Sequence, residues 1–318
     1  MNRVSQKKVL ALSGGVGGAK LALGLSKILA AEQLTVVANT ADDFEHMGLH
    51  VSPDLDTVMY TLAGLNNQEQ GWGLAGESWS MLSAMEQLGG ETWFRLGDRD
   101  IATHLRRSQL LADGQSLTKI TDTLCKQLGV SHTLLPMSND PVRTFIDSDQ
   151  GELPFQHYFV REQCQPIVKG FSFKGLESAR ATPELMALLA DPNLQAVIIC
   201  PSNPFVSVDP ILKLSGVKEA LKASAAKVIA ISPIVAGAAL KGPAAKMMQE
   251  LSMPVTADAV ARYYGDLLDL FVIDESDATL SDSMIQSGME VAVTNTIMKS
   301  LEDRKNLASF VMHCVGEQ

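Results

Sequence analysis

Between Lys27 and Arg95 the chain has no lysine or arginine, although this stretch holds ten acidic residues. Carboxylates that converge repel one another and are costly to bury without a counter-charge, so they either form a solvated acidic loop or hold a cation. Cysteine is scarce as well. Cys125, Cys164, Cys200 and Cys314 lie far apart and form no CxxC pair, which excludes a disulfide frame or a cysteine zinc site and fits a reducing compartment. Long apolar runs are missing. The longest weakly polar stretch, Val228 to Leu240, is broken by Pro233 and Gly237 and cannot span a bilayer. The apolar run near the N-terminus stops at Ser13-Gly14-Gly15, too short for a signal-peptide core. A cytoplasmic protein with no membrane partner is expected. A net charge of −10 leaves no broad face for nucleic acid. Linkers, repeats and low-complexity tracts are lacking too, so residues 1–318 are read as a single α/β domain carrying insertions.

What is present supports that class. Val9–Leu12 reads as a buried strand, Ser13–Gly18 as a glycine turn, Ala19–Ala30 as a helix and Leu34–Ala38 as a second strand. This opening is that of a Rossmann-like, mostly parallel sheet. Residues 57–130 read as a helical insertion, with helices at Thr57–Leu65, Glu77–Leu88, Asp100–Leu111 and Ser116–Leu128. Short alternating runs at 134–174 predict a small β-rich excursion. Strands resume at Ala196–Cys200, Lys227–Ile231 and Leu270–Ile273, and a last helix is expected at Thr296–Val311.

The glycine turn, Ser13-Gly14-Gly15-Val16-Gly17-Gly18-Ala19-Lys20, follows a strand and opens a helix. Glycines there allow a phosphate to approach backbone N–H groups and the helix N-terminus. A P-loop is excluded because the Gly-Lys-Ser/Thr ending is absent. A dinucleotide fingerprint is poor: Lys20 replaces the last small residue, and Asn39 stands where the ribose needs an acid.

Four of the acids cluster, Asp42 and Asp43 after Asn39-Thr40-Ala41 and then Asp54 and Asp56 in Ser52-Pro53-Asp54-Leu55-Asp56-Thr57. Converging carboxylates call for a hard divalent cation, and Mg²⁺ uses one or two carboxylates together with substrate phosphates. Asp42, Asp43, Asp54 and Asp56 are the metal candidates. Which of them binds metal and which acts as a general base stays open. Arg95 and Arg99 flank the turn at Gly97, and Arg99 is expected to pair with Asp98 or Asp100. Arg106 and Arg107 follow on a helix, where phosphate contact and a solvated or ion-paired role are equally open, and His104, between a base and a structural histidine, reads as the structural one. The loops Cys200-Pro201-Ser202-Asn203-Pro204 and Ser232-Pro233-Ile234, with Lys241-Gly242-Pro243 beyond, follow consecutive strands and point to a shared ligand crevice.

These stretches, with Leu96-Gly97-Asp98-Arg99-Asp100 and Leu135-Pro136-Met137-Ser138, follow one another in an order that resembles the 2-phospho-L-lactate transferase (CofD/FbiA) family of coenzyme F-420 biosynthesis. The resemblance runs from about Val9 to beyond Asp274. It implies a Mg²⁺-dependent phosphotransferase. The acceptor is the deazaflavin Fo, and the donor is a guanosine diphosphate-type molecule whose outer phosphate carries a small carboxylic acid, so that the moiety transferred is phospholactate, phosphoenolpyruvate or 3-phosphoglycerate. The ribityl hydroxyl of Fo attacks that phosphate and GMP leaves. The resemblance places Asp56 and Arg95 at Fo, with Asp54 beside them in catalysis. It places Gly14, Gly15, Gly17, Gly18, Lys20, Ser202, Asn203, Lys241 and Gly242 around the donor, and it implies a homodimer. Rival readings are a regulatory nucleotide-sugar-binding member of the same superfamily, disfavoured by the two acidic motifs, and an NAD-type oxidoreductase, disfavoured by Asn39 and Lys20. No sequence feature selects the donor acid.

Overall fold

The structure is a computed structural model and describes residues 7–316. A seven-stranded sheet forms its centre, built from Lys8–Ser13 (β1), Leu34–Ala38 (β2), Thr133–Pro136 (β3), Leu194–Ile199 (β4), Lys227–Ile231 (β5), Leu270–Asp274 (β6) and Val291–Thr294 (β7). Their spatial order is β7-β6-β5-β4-β1-β2-β3, and every pairing is parallel. Parallel strands are buried on both faces and read as continuous apolar runs. Alternation sorts their side chains: Leu10 and Leu12 of β1 enter one core, Val9 and Ala11 the other.

Helices cover both faces, the arrangement of a doubly wound α/β fold. The second core is closed by Gly15–Ile28, Pro53–Ala63, Leu117–Gln127 and Leu301–Gly316, which contribute Leu21, Leu25, Val58, Ile120 and Val311. The first is closed by Pro183–Leu189, Val217–Ala223 and Ala257–Tyr264 and by an antiparallel sheet of Arg143–Ser148, Gly151–Pro154 and Val168–Lys174. Strand order reverses between β1 and β4, the switch point at which such sheets open a crevice. Among the described residues no helix is long and apolar enough to cross a membrane.

Several boundaries differ from expectation. The first helix begins at Gly15, inside the predicted turn, because Gly15 adopts φ +62° and the chain turns within a single residue. The strand at 133–136 belongs to the main sheet and pairs with β2. Strand β7 and a hairpin of Phe44–His46 with Leu49–Val51 were not anticipated. The hairpin turns on Met47 and Gly48, both at positive φ, as a two-residue turn demands. The last helix starts at Leu301 instead of Thr296. Thr296 is tied to Asp274 through its N–H at 2.8 Å and its hydroxyl at 3.1 Å, while Asp303 accepts from Ser300 N and the Ser300 hydroxyl accepts from Asp303 N. This reciprocal cap fixes the start.

Candidate active site

The glycine turn and the loop after β4 are zipped together. The Ser202 hydroxyl accepts from Gly14 N at 3.1 Å and donates to Gly14 O at 2.9 Å. A Cβ on Gly17 would lie 2.2 Å from the Pro201 carbonyl oxygen, and one on Gly18 would lie 2.7 Å from Ser202 Oγ. These two glycines are therefore required by protein packing, before any ligand is considered. Asn203 accepts from Phe205 N and Val206 N and so starts the short helical turn Pro204–Val208. Ser202 and Asn203 thus build the crevice wall with their side chains.

Above this wall lie three of the four predicted metal candidates. Asn39, fully buried at the end of β2, donates to Asp42 Oδ2 at 3.0 Å, Asp54 Oδ2 at 3.1 Å and the Val206 carbonyl at 3.2 Å. Asp54 Oδ1 accepts from Gly15 N at 2.8 Å. The N–H that a phosphate would seek is thus held by an acid. Asp43 Oδ2 accepts from the Ser52 hydroxyl at 2.7 Å and lies 3.1 Å from His50 Nε2. Burial, with the charge of Asp54, pushes the Asp42 carboxyl well above its ordinary range. Burial pushes Asp54 up to about 6, with Asn39 and Gly15 opposing and Asp43 adding to the shift.

Asp56 stands apart from the other three. It is 5% exposed, and both its oxygens meet Arg107, which is 2% exposed, in a bidentate pair. His104 Nδ1 lies 3.6 Å from Asp56, its Nε2 lies 3.3 Å from Asp100, and the Tyr60 hydroxyl donates to Asp100 at 2.7 Å. Arg107 is raised against the effect of its own burial by the Asp56 charge. Of the two neighbouring helical arginines, Arg107 is buried and paired, while Arg106 is exposed against Gln109. The pairing expected of Arg99 does not form. Its guanidinium donates to the Ala75 carbonyl, Asp98 caps the helix Ser80–Gln87 through Ser80 N and Met81 N, and Glu77 accepts from Arg99 N and Asp100 N.

Arg95 is exposed, its guanidinium carbon 4.5 Å from the centre of the Trp79 ring. Lys20 is half-buried and donates to the Met298 carbonyl at 3.0 Å. Lys241 donates to the Gln70 carbonyl at 3.1 Å, and Gly242 beside it lies at φ +77° in open space. One group of side chains has no counterpart in the sequence reading: Phe44, His46, Trp93, Phe94 and His157 form a contiguous aromatic cluster. Phe44 meets Phe94 edge-on at 4.8 Å, and Trp93 meets His157 at 4.8 Å. Phe44 follows Asp43 directly, so these rings adjoin the acid cluster. The adjacent pair Trp93-Phe94, in a chain only 5% aromatic, was the available signal.

The donor set suits Mg²⁺ in part. Asp43 Oδ1 is buried without a hydrogen bond, and Asp42 Oδ1 has none of good geometry, with Thr144 as its polar neighbour. Two unsatisfied carboxylate oxygens are the number Mg²⁺ draws from protein when phosphates complete its shell. Among the described residues no three acidic, histidine or cysteine side chains form a ready-made metal group.

Fold and crevice define a doubly wound α/β protein whose switch point carries an acid cluster over a glycine turn. The family model for 2-phospho-L-lactate transferase CofD matches residues 9–308, and the chain belongs to that family of transferases. A 2-phospho-L-lactate transferase of Methanosarcina mazei is 39% identical over 304 residues, 96% of this chain and 99% of that one. A phosphoenolpyruvate transferase of Kitasatospora aureofaciens is 39% identical over 308 residues, 95% of each chain. A solved structure of a UPF0052-family protein from Bacillus halodurans has a TM-score of 0.65 at 14% identity, covering 96% of this chain and 99% of that one. It supports the fold alone.

Proposed function

We infer that the protein moves a phospho-carboxylic acid from a guanosine diphosphate-linked donor to the ribityl hydroxyl of Fo, releasing GMP, in coenzyme F-420 biosynthesis. The observation carrying this reading is the buried, unsatisfied Asp43 Oδ1 beside Asp42 and Asp54, at the switch point and against the glycine turn. Phosphoryl transfer needs positioning and charge neutralisation more than covalent help. Asp42 and Asp43, linked to Asp54 through Asn39 and the surrounding loops, would hold Mg²⁺, which when bound neutralises charge on the donor's phosphate oxygens.

The chain's own groups do the rest. The acceptor oxygen forms a bond to the outer phosphorus as the bond to the bridging oxygen of GMP breaks. The hydroxyl proton passes to a carboxylate, and Asp54, pushed up to about 6, has the proton affinity a base needs near neutral pH. Asp56 keeps lone pairs free of Arg107, since a carboxylate has about four acceptor sites and a bidentate guanidinium takes two. It thereby presents a fixed edge to the ribityl chain. Phe44, Trp93 and Phe94 offer faces for a planar ring, and Arg95 lines the acceptor side. A homodimer belongs to the same reading, and light scattering reads it directly.

The relatives named for phospholactate and for phosphoenolpyruvate are equally similar, so identity does not choose the acid. The test is mass spectrometry of products from Fo, Mg²⁺ and each guanylylated acid in parallel. A product with one acid, abolished by EDTA, is expected. No product from any acid, with no binding of Fo, would reject the reading.

A further inference from the structure

Side chains alternate across a strand, and the inner face of the strand Arg143–Ser148 carries Thr144, Ile146 and Ser148, all buried. Ile146 belongs to the apolar core beneath, yet the other two bring hydroxyls into it. The Ser148 hydroxyl is satisfied: it donates to the Gly151 carbonyl at 2.7 Å and accepts from Gln150 N at 3.1 Å. The Thr144 hydroxyl is not. Thr144 is 3% exposed, and its Oγ1 has no hydrogen-bond partner among the described residues. Packing alone does not call for threonine there. Valine also suits a strand and would bring no buried hydroxyl to leave unpaired. An orphan of this kind calls for a cause.

The surroundings of Thr144 supply one. Thr144 N donates to the Ala41 carbonyl at 2.7 Å, which sets the strand against the turn that carries Asp42. Gln156, 5% exposed, donates from Nε2 to the Asp42 carbonyl at 3.2 Å. It stands just before the π-helical turn His157–Arg161, a kind of turn frequent at functional sites. The carbonyls of Ala41 and Asp42 are thus both held by the segment that runs from Arg143 to Lys174. On the Asp42 side chain Oδ2 accepts from Asn39, while Oδ1 lacks a hydrogen bond and has Thr144 beside it. One orphan can donate and the other can accept, on residues whose backbones already lie side by side. We propose that Thr144 and Gln156 are positioning residues for Asp42: Gln156 fixes its main chain, and the Thr144 hydroxyl donates to its carboxylate when that carboxylate holds a divalent cation. The inference rests on the reading above that Asp42 and Asp43 hold Mg²⁺. A carboxylate has about four acceptor sites, so Asn39 and Thr144 together leave room for a cation. Hydrogen bonds to a ligating carboxylate orient it, and losing one typically costs about 10- to 100-fold in metal affinity. The antiparallel sheet then supports the acid cluster as well as covering the core.

The experiment compares wild type with Thr144→Val, Thr144→Ser and Gln156→Met. Each is titrated calorimetrically with Mg²⁺ alone and with Mg²⁺ in the presence of guanosine diphosphate, and each is melted with and without Mg²⁺. Without Mg²⁺, Thr144→Val should melt at or above the wild-type temperature, because a buried orphan hydroxyl has gone. Its Mg²⁺ affinity should nevertheless fall about tenfold or more, and Mg²⁺ should raise its melting temperature less. Thr144→Ser keeps the hydroxyl and should recover most of that affinity. Gln156→Met should bind Mg²⁺ more weakly as well. Wild-type Mg²⁺ affinity in Thr144→Val, or a loss in Thr144→Ser as large as in Thr144→Val, would overturn the role of the hydroxyl and make Thr144 a packing residue. Wild-type affinity in Gln156→Met would overturn the role of Gln156, and this variant still decides that half if Thr144→Val does not fold. Wild type that responds to Mg²⁺ in neither arm would reject the metal reading itself, and the proposal with it.

Discussion

Asp54 and Asp56 are two residues apart in one helix turn and have opposite fates. Asp54 faces the glycine turn and joins Asn39, Asp42 and Gly15 N in a cluster that includes no cation. Asp56 faces the helix Asp98–Ala112 and is locked to Arg107. Residues at i and i+2 on a helix do not share a face, so a single Asp-Leu-Asp step feeds two regions of different character. In the paired region each buried carboxylate meets a basic or hydroxyl partner. In the unpaired region buried like charges remain and carboxylate oxygens stay unsatisfied. Removing a charge should therefore harm the first region and relieve the second.

The largest effect is expected in the paired region. Arg107→Met leaves Asp56 and Asp100 buried with only His104 and Tyr60 beside them. Breaking one side of a buried pair costs about 3–5 kcal/mol, which urea denaturation would read as a lower midpoint. Pairing that change with Asp56→Leu should recover most of the loss. A single variant as stable as wild type would show that the network contributes no net stability.

The unpaired region should respond with the opposite sign. The Asp54 carboxyl is raised from 3.8 to about 6, so between those values the folded protein binds more protons than the unfolded chain. The Asp54 contribution to stability then falls as pH rises from about 4 to about 6, by roughly 3 kcal/mol at most, and Asp42, pushed up in the same direction, adds to the fall. Asp54→Asn in EDTA should make that slope shallower and raise the melting temperature at pH 7. A slope that survives unchanged would assign it to other groups.

Metal separates the regions next. Asp43→Asn keeps acceptance from Ser52 but replaces a charged oxygen that has no hydrogen bond. Turnover should fall about 100-fold, the size of one lost electrostatic contact in a transition state. Mg²⁺ should raise the melting temperature of wild type and not of this variant, whereas variants at Asp100, in the paired region, should keep the Mg²⁺ response. A Mg²⁺ response retained by Asp43→Asn would remove Asp43 from the ligand set.

The contrast also marks how far the sequence could be read. Strands β1, β2, β4, β5 and β6 are legible as apolar runs because parallel strands are buried on both faces, and the acid cluster is legible because Lys27 and Arg95 bracket it without a lysine or arginine between them. The partner of Asp56 is not legible: Arg107 lies 51 residues away, and only the tertiary fold brings that helix against Pro53–Ala63. The aromatic cluster draws on residues near 44, 93 and 157 for the same reason. The sequence of the glycine turn points to a ligand, whereas Gly17 and Gly18 answer first to Pro201 and Ser202. A close approach between two loops and a close approach to a phosphate place the same demand on a glycine, and the sequence alone cannot separate them.

The smallest effect belongs to neither region and sharpens the border between them. Arg95 is exposed and its guanidinium lies over Trp79. An exposed cation–π contact is worth about 0.5–1 kcal/mol, so Arg95→Ala should shift the urea midpoint little. Its consequence should appear in the acceptor: the KM for Fo rises several-fold while kcat and the affinity for guanosine diphosphate hold. Arg95→Lys keeps the charge but loses the planar face, so it should recover stability more fully than acceptor affinity. An unchanged KM for Fo in Arg95→Ala would leave the aromatic cluster and Asp56 to define the acceptor side and would confine Arg95 to packing on Trp79.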